Sequence, residues 1–415
     1  MTIPERPRFL LLFAVFLATG LLAFAYMRKT VYHGAAEKLS ADPGAIATRA
    51  VITRWMTHGY FASYGMLAPV PNEKIVYRWS SGVYFLSSFV LEKIWIGITG
   101  KYSWRLIAFH NVGVALVASA LFAVLAFRVL RRMGAEPLHA LALSIGAQMV
   151  QFTFPDNLAL FWENQSQVWW LMFALCFFLA EEAERWVPQA IAVFAMTYIE
   201  FIYSTMFLAV YVATVLLVRG ERPPLRRLAV MLIVPWLAAF ALYQIQWQGA
   251  KREPGVKILA SGFLYRTGLD GDAELYGTHL DIAYGREIIR HLRPAQHQYL
   301  FHWPTLFFAG TAAALLALGA YLRDRVPRLA AVVLLTLLGA WIVYAAVFSQ
   351  AVALHPYLYD FLLATPLIFA LFALLPAIAE ELLQWRGVFV TMACFGAAWM
   401  SMYQLRLYAM CYPSV

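Results

Sequence analysis

The stretch LAAVVLLTLLGAWIVYAAVF, from Leu329 to Phe348, runs for 20 residues without a charged side chain. It follows a basic turn that contains Arg323, Arg325 and Arg328. The hydrocarbon core of a bilayer is about 30 Å thick, and about 20 residues of α-helix cross it. The length, composition and basic flank of this stretch therefore predict a transmembrane helix.

The same pattern recurs along the chain of 415 residues, which is 62% hydrophobic and 13% charged, with a mean hydropathy of +0.66. One globular core cannot hide so much apolar surface, so lipid has to cover it. The other apolar runs are Phe9–Tyr26, Trp104–Phe127, Leu138–Phe154, Val168–Ala180, Leu228–Trp247, Phe301–Leu322, Phe361–Ala379 and Val388–Tyr403. Residues 187–218 are too long for one upright span and have a polar break at 200–205, which predicts two short helices folded back at the break. The sequence predicts an all-α polytopic membrane protein with about eleven transmembrane helices.

The arginines predict the orientation in the membrane. They precede the first span or occupy short connections on one side, at Arg6, Arg8, Arg128, Arg131, Arg132, Arg185, Arg219, Arg222, Arg226, Arg227, Arg323, Arg325, Arg328 and Arg386. The positive-inside rule makes this side cytoplasmic, so we expect a cytoplasmic N-terminus in a bacterial inner membrane. The net charge of +9 is then explained by topology and membrane lipid, without a nucleic-acid partner. Cys176, Cys394 and Cys411 lack metal-ligand spacing, and we expect no disulfide framework.

This orientation places two long segments outside, residues 27–102 and 248–300, as external lobes of a single membrane domain over 1–415. Loops of this length are usually functional or disordered, and neither reads as disordered. The first lobe contains a helical pattern that ends near Trp55, typical of a helix on the membrane surface. The apolar stretch from Val83 to Ile98 carries Glu92 and Lys93, which favours an interfacial or partly inserted helix over a full span.

Three stretches, in this order, resemble the GT-C glycosyltransferases, as in protein mannosyltransferases and aminoarabinose transferases. The first is Trp55–Phe61, where a surface helix runs into a glycine and an aromatic residue. The second is the apolar helix Tyr84–Ile94, followed by Gly100 and the aromatic-Arg-Leu passage within 102–106. The third is the turn from His355 to Tyr359, which leads into Leu363–Pro366.

The resemblance implies transfer of a sugar from a polyprenyl-phosphate carrier to a glycan, lipid or protein acceptor on the extracytoplasmic face, without a cofactor. The chain departs from many members because no acidic pair follows the first span; the acids of that loop are Glu37, Asp42 and Glu73. A lipid-linked oligosaccharide polymerase or ligase would use the same kind of donor. A transporter or flippase of lipid-linked glycans is the alternative from another class, although the polar residues gather at one face and no internal repeat is evident.

The reaction needs a carboxylate as base and strong donors for the departing phosphate. Asp42, before Pro43 at a helix start, and Glu200, at the external hairpin, are the candidate catalytic residues; Asp42 as a helix cap is the simpler alternative. Arg78 lies between aromatic residues and suits a lipid phosphate, or is an ordinary interfacial arginine. His58 is a candidate donor or an exposed turn residue.

Further candidates for substrate binding lie in the second lobe and at external helix ends. Arg266, Asp270 and Asp272 surround glycines in a loop that suits sugar or acceptor recognition, or forms a solvated turn. The loop lacks calcium-binding spacing, so we expect no metal site, although a divalent metal is not excluded. Ionisable groups at helix ends within a membrane protein are functional candidates as well. These are Asp156, Glu163 and His355, the last with Tyr357 as a phosphate contact implied by the family resemblance.

Overall fold

The computed structural model describes residues 5–30, 52–57, 59, 83–151, 162–219, 224–251, 260, 309–324, 326–348, 362–363, 365–370 and 373. Within these residues all regular secondary structure is helical. The helices are α1 (Glu5–Thr30), α2 (Val83–Thr99), α3 (Trp104–Arg132), α4 (Pro137–Gln151), α5 (Trp162–Glu182), α6 (Trp186–Ile199), α7 (Phe201–Arg219), α8 (Leu225–Leu228), α9 (Val234–Lys251), α10 (Ala309–Leu322) and α11 (Arg328–Val347). A π-helical turn, Ala229–Ile233, joins α8 to α9.

Five helices in the described part of the chain are long and apolar enough to cross a membrane. Their apolar segments are Arg8–Ala25, Val112–Arg132, Phe201–Val218, Arg226–Gln246 and Arg328–Val347. Outward-facing leucines such as Leu22 in α1 and Leu217 in α7 are exposed, an arrangement that is unfavourable in water and suited to lipid. The structure therefore confirms an all-α protein with membrane-spanning helices. It does not confirm the count of eleven, and the last predicted span lies outside the described residues.

The basic connections lie together at one end of the bundle. Three contacts join these ends: the Arg128 guanidinium lies 5.5 Å from the Phe9 ring, Arg132 Nη1 lies 3.4 Å from Glu182 Oε1, and the Tyr321 hydroxyl donates to the Val218 carbonyl. They connect α1 to α3, α3 to α5, and α7 to α10. We call this the basic end; the turn between α2 and α3 and the junction of α6 with α7 lie at the opposite end. The basic turns that the structure describes thus share one end, as the arginine pattern predicts. Arg222, Arg325 and Arg386 lie outside the described residues, and the assignment of this end to the cytoplasm stays a prediction.

The helix break predicted near Glu200 is present as a single extended residue. Glu200 has φ −142° and ψ 93° and separates α6 from α7. Its N–H still donates to the Met196 carbonyl at 2.9 Å, and its own carbonyl accepts from the Ser204 N–H at 3.1 Å. One residue outside the helical region is therefore enough to end one helix and begin the next.

The two helices at this break run in opposite directions. The short turn at 183–185 reverses the chain between α5 and α6. Helix α7 then runs parallel to α5, because Trp170 packs on Tyr203 and Phe177, two turns further on, packs on Tyr211. The chain therefore folds back at Glu200, as the sequence predicts. The prediction of two short helices is wrong for α7, which is long and apolar enough to cross a membrane.

Helices α7 and α11 pack closely at the centre of the bundle. The rings of Tyr203 and Tyr344 lie 5.3 Å apart, and both residues are buried. Near the middle of the contact, Gly339 faces Val210 so closely that a Cβ atom on Gly339 would lie 2.8 Å from Val210 Cγ1. Small residues commonly allow such close helix packing in membranes.

Candidate functional site

Several polar side chains lie beside the break between α6 and α7 and on the facing part of α9, at the end opposite the basic turns. We call this group the Glu200 site; its members are Tyr198, Glu200, Ser204, Thr205, Tyr243 and Gln246. Glu200 is half-buried, between the last residue of α6 and the first of α7. A half-buried carboxylate at a break between two helices suits proton transfer.

Two tryptophans fix the start of α7 from opposite sides. The indole N–H of Trp170 in α5 donates to Ser204 Oγ at 2.7 Å, and both side chains are buried. The indole N–H of Trp236 in α9 donates to Thr205 Oγ1 at 2.9 Å. Because each bond joins side chains from two helices, the two bonds hold the backbone next to Glu200 in place.

Helix α9 supplies the other polar contacts of the site. The Tyr243 hydroxyl donates to the Tyr198 carbonyl at 2.7 Å, and the Gln246 amide donates to the Tyr198 hydroxyl at 2.8 Å. The second polar atom of Gln246, Oε1, is buried without a hydrogen-bond partner. Buried polar atoms are normally paired, so this oxygen has unused capacity to accept a hydrogen bond.

An aromatic wall lies beside these polar groups. The Phe201 ring lies 5.3 Å from the Trp236 ring, 5.3 Å from the Phe240 ring and 6.1 Å from the Tyr243 ring, measured between centroids. Aromatic rings offer a rigid apolar surface with polar groups at the edge. This combination suits a ligand that has both apolar and hydroxyl-bearing parts.

Of the residues predicted for the site, Glu200 is the one whose side chain the structure describes. Glu163 lies in the first turn of α5. Trp170 lies two turns further along α5 and contacts the start of α7. The Glu163 backbone is therefore at the same end of the bundle as Glu200. The other predicted residues lie outside the described residues: Asp42, His58, Arg78, Asp156, Arg266, Asp270, Asp272, His355 and Tyr357. Apart from 248–251 and 260, the second lobe is also outside them.

Sequence reasoning missed two polar features. Gln246 lies in an apolar run that was assigned as a plain span, although the Tyr-Gln-Ile-Gln-Trp-Gln sequence at 243–248 was a visible signal. Glu92 served only to place α2 at the membrane interface, but its side chain is fully buried against the start of α3. The position of Glu92 as an acid within an apolar helix is the sequence signal that could have marked it as a functional candidate.

The described side chains contain no group of three or more His, Cys, Asp or Glu residues that could hold a metal ion. Comparison with models of known protein families and with curated proteins gives no match. The resemblance to the GT-C glycosyltransferases therefore stays a prediction.

Proposed function

We propose that this protein is a membrane glycosyltransferase that moves a sugar from a polyprenyl-phosphate carrier to an acceptor at the end of the bundle opposite the basic turns. The observation that supports this most directly is the half-buried carboxylate of Glu200 at a helix break in a membrane bundle. Carboxylates in partly shielded positions act as general bases, and a membrane setting gives access to a lipid-linked donor.

In the proposed reaction, the acceptor hydroxyl oxygen attacks the anomeric carbon of the donor sugar. The bond between that carbon and the phosphate oxygen breaks, so polyprenyl phosphate leaves with the electron pair. The carboxylate of Glu200 or Asp42 takes the proton of the attacking hydroxyl. Gln246 Oε1 accepts from a hydroxyl of the bound sugar, and the aromatic wall packs on its apolar face.

The experiment measures transfer from radiolabelled polyprenyl-phosphate sugars by the full chain in liposomes. Glu200→Gln keeps the size of the side chain and removes its basicity, so activity should fall by about 10²-fold or more. Asp42→Asn tests the other candidate base in the same assay. Glu136→Gln is the matched control, because Glu136 is an exposed acid at the basic end, and it should keep full activity.

Two results would reject the proposal. If Glu200→Gln and Asp42→Asn both retain the activity of the unchanged chain, neither carboxylate is the base. If the chain moves lipid-linked glycans across the bilayer without consuming the donor, it is a transporter rather than a transferase. Products that grow by whole oligosaccharides would instead identify a polymerase or ligase.

A further inference from the structure

Helix α2 exposes several large apolar side chains and buries two polar ones. The exposed apolar side chains are Val90, Ile94, Trp95 and Ile98, the last 76% exposed, with the charged Lys93 exposed beside them. Its buried side chains include Ser88 and Glu92, both with 0% exposure. A surface helix in water hides its apolar face and shows its polar face. The outer face of α2 therefore suits lipid, while its polar face is turned toward the protein.

The polar face of α2 contacts the first two turns of α3. Ser88 Oγ lies 3.1 Å from His110 Nδ1, and Glu92 Oε1 accepts a hydrogen bond from the Ser103 N–H at 2.5 Å. Ser88 and Glu92 are four residues apart, so they occupy the same side of α2. Ser103 is also the N-cap of α3, where its hydroxyl accepts from the Leu106 N–H. Two polar contacts therefore hold α2 against the start of α3.

Only one of the two carboxyl oxygens of Glu92 has a hydrogen-bond partner in this arrangement. Its Oε1 atom has the Ser103 N–H as donor, but its Oε2 atom is buried and has no hydrogen-bond partner. A buried carboxylate loses hydration that one backbone donor does not replace. Burial accordingly raises the pKa of Glu92 above the usual 4.5, and the hydrogen bond from Ser103 opposes this only in part.

We propose that Glu92 binds a proton when α2 lies against the start of α3, and that loss of this proton releases α2 from α3. On release, one proton passes from the carboxyl group to solvent, and the new carboxylate leaves its buried position for water. Gly100, which follows α2 directly and has φ +68°, is the pivot, because glycine adopts this backbone region without a Cβ penalty.

The second polar contact, between Ser88 and His110, is independent of Glu92. With Nδ1 of His110 unprotonated, the ring accepts from the Ser88 hydroxyl; with Nδ1 protonated, it donates to the same oxygen. This contact therefore favours the docked position with either ring tautomer, and the buried charge on Glu92 has to outweigh it for release. Glu92 is the member of this interface whose burial depends on being neutral.

The ionisable groups around Glu92 are mainly basic. Lys93 follows it on α2 and has its ammonium 5.5 Å from the Phe89 ring centroid. Arg54 belongs to the segment 52–57, which packs on α2 through Trp55, and His110 is on α3. Two more lie on the packed helices, Arg105 on α3 and Glu163 on α5, with side chains outside the described part. Burial is nevertheless the largest influence on the pKa of Glu92, and it raises that pKa.

The test measures the distance between α2 and α3 as a function of pH. Spin labels replace Val90 and Val117, which are both exposed, in a full-length chain with its three cysteines changed to serine and held in lipid nanodiscs. We expect one short distance at about pH 4 and a longer, broader distribution toward about pH 9, with a midpoint above the ordinary glutamate pKa.

Glu92→Gln and Glu92→Met should keep α2 docked at every pH, since neither side chain acquires charge. The methionine variant also serves if glutamine disturbs folding, because it fills a similar volume without polar atoms. Glu136→Gln, an exposed acid at the basic end, should behave as the unchanged chain does. A constant distance in the unchanged chain would overturn the proposal, and so would an unaltered transition in the Glu92 variants. The result does not depend on glycosyl transfer.

Discussion

Replacing Gly339 with alanine should weaken the packing of α11 against α7. The new Cβ atom would lie 2.8 Å from Val210 Cγ1, whereas carbon atoms in favourable contact are about 3.5–4.0 Å apart. Valine in a helix has one strongly preferred rotamer, so Cγ1 cannot turn away at low cost. The two helices would have to separate by several tenths of an ångström, which loosens the contacts on both sides of the glycine.

The size of the effect follows from two opposing contributions. Alanine is favoured over glycine inside a helix by about 1 kcal/mol, and overpacking a close contact costs about 1–3 kcal/mol. Gly339→Ala should therefore lower the free energy of unfolding by up to about 2 kcal/mol. Gly319 in α10 is the matched control, because a Cβ atom there meets nothing within 4 Å. Gly319→Ala should be neutral or stabilising by up to about 1 kcal/mol.

Reversible unfolding in mixed micelles with increasing SDS measures both variants on one scale. Val210→Ala removes the atom that the new Cβ would meet, so the double variant Val210→Ala/Gly339→Ala should lose most of the penalty of the alanine. Equal free energies of unfolding for Gly339→Ala and Gly319→Ala would refute the reasoning. A penalty at Gly339 that Val210→Ala leaves unchanged would do so as well.

Two further predictions concern polar contacts between helices. Trp170→Phe and Ser204→Ala should show a coupling free energy of about 0.6–2 kcal/mol in a double-mutant cycle of unfolding. The reason is that the 2.7 Å hydrogen bond between these buried side chains joins α5 to α7. A coupling free energy near zero would show that this bond makes no net contribution to stability. The raised pKa of Glu92 means that its contribution to stability is complete below the ordinary glutamate pKa and is lost as pH rises through the raised value. Thermal unfolding at a series of pH values should show this loss in the unchanged chain and in Glu136→Gln but not in Glu92→Gln, and an identical pH profile for Glu92→Gln would contradict it.

The helical class and the position of the main break were predictable from sequence. The apolar runs are local, and lipid imposes a minimum length that an uncharged stretch such as 329–348 satisfies without reference to the rest of the chain. Glu200 interrupts an apolar run that is too long for one span, and a polar residue there predicts a turn on the same local grounds. The number of spans is harder to predict, because short helices such as α6 are apolar without being long enough to cross alone.

The candidate site was predictable only in part. Sequence indicated Glu200 by its place at the break. It did not indicate that the Trp170 indole bonds Ser204, or that Gln246 meets Tyr198. These partners are 34 and 48 residues apart, and no local pattern encodes their meeting.

Hydropathy and charge alone indicated that this chain belongs in a membrane and that the basic turns in its described part share one side, because both properties act on each segment separately. Which side chains face each other follows from helix packing and could not be read from the sequence. In the folded chain the polar side chains Ser88 and Glu92 of α2 are buried, Glu92 contacts the start of α3, and Gly339 lies against Val210. Such pairings depend on the rotation and spacing of whole helices, which packing between distant segments fixes.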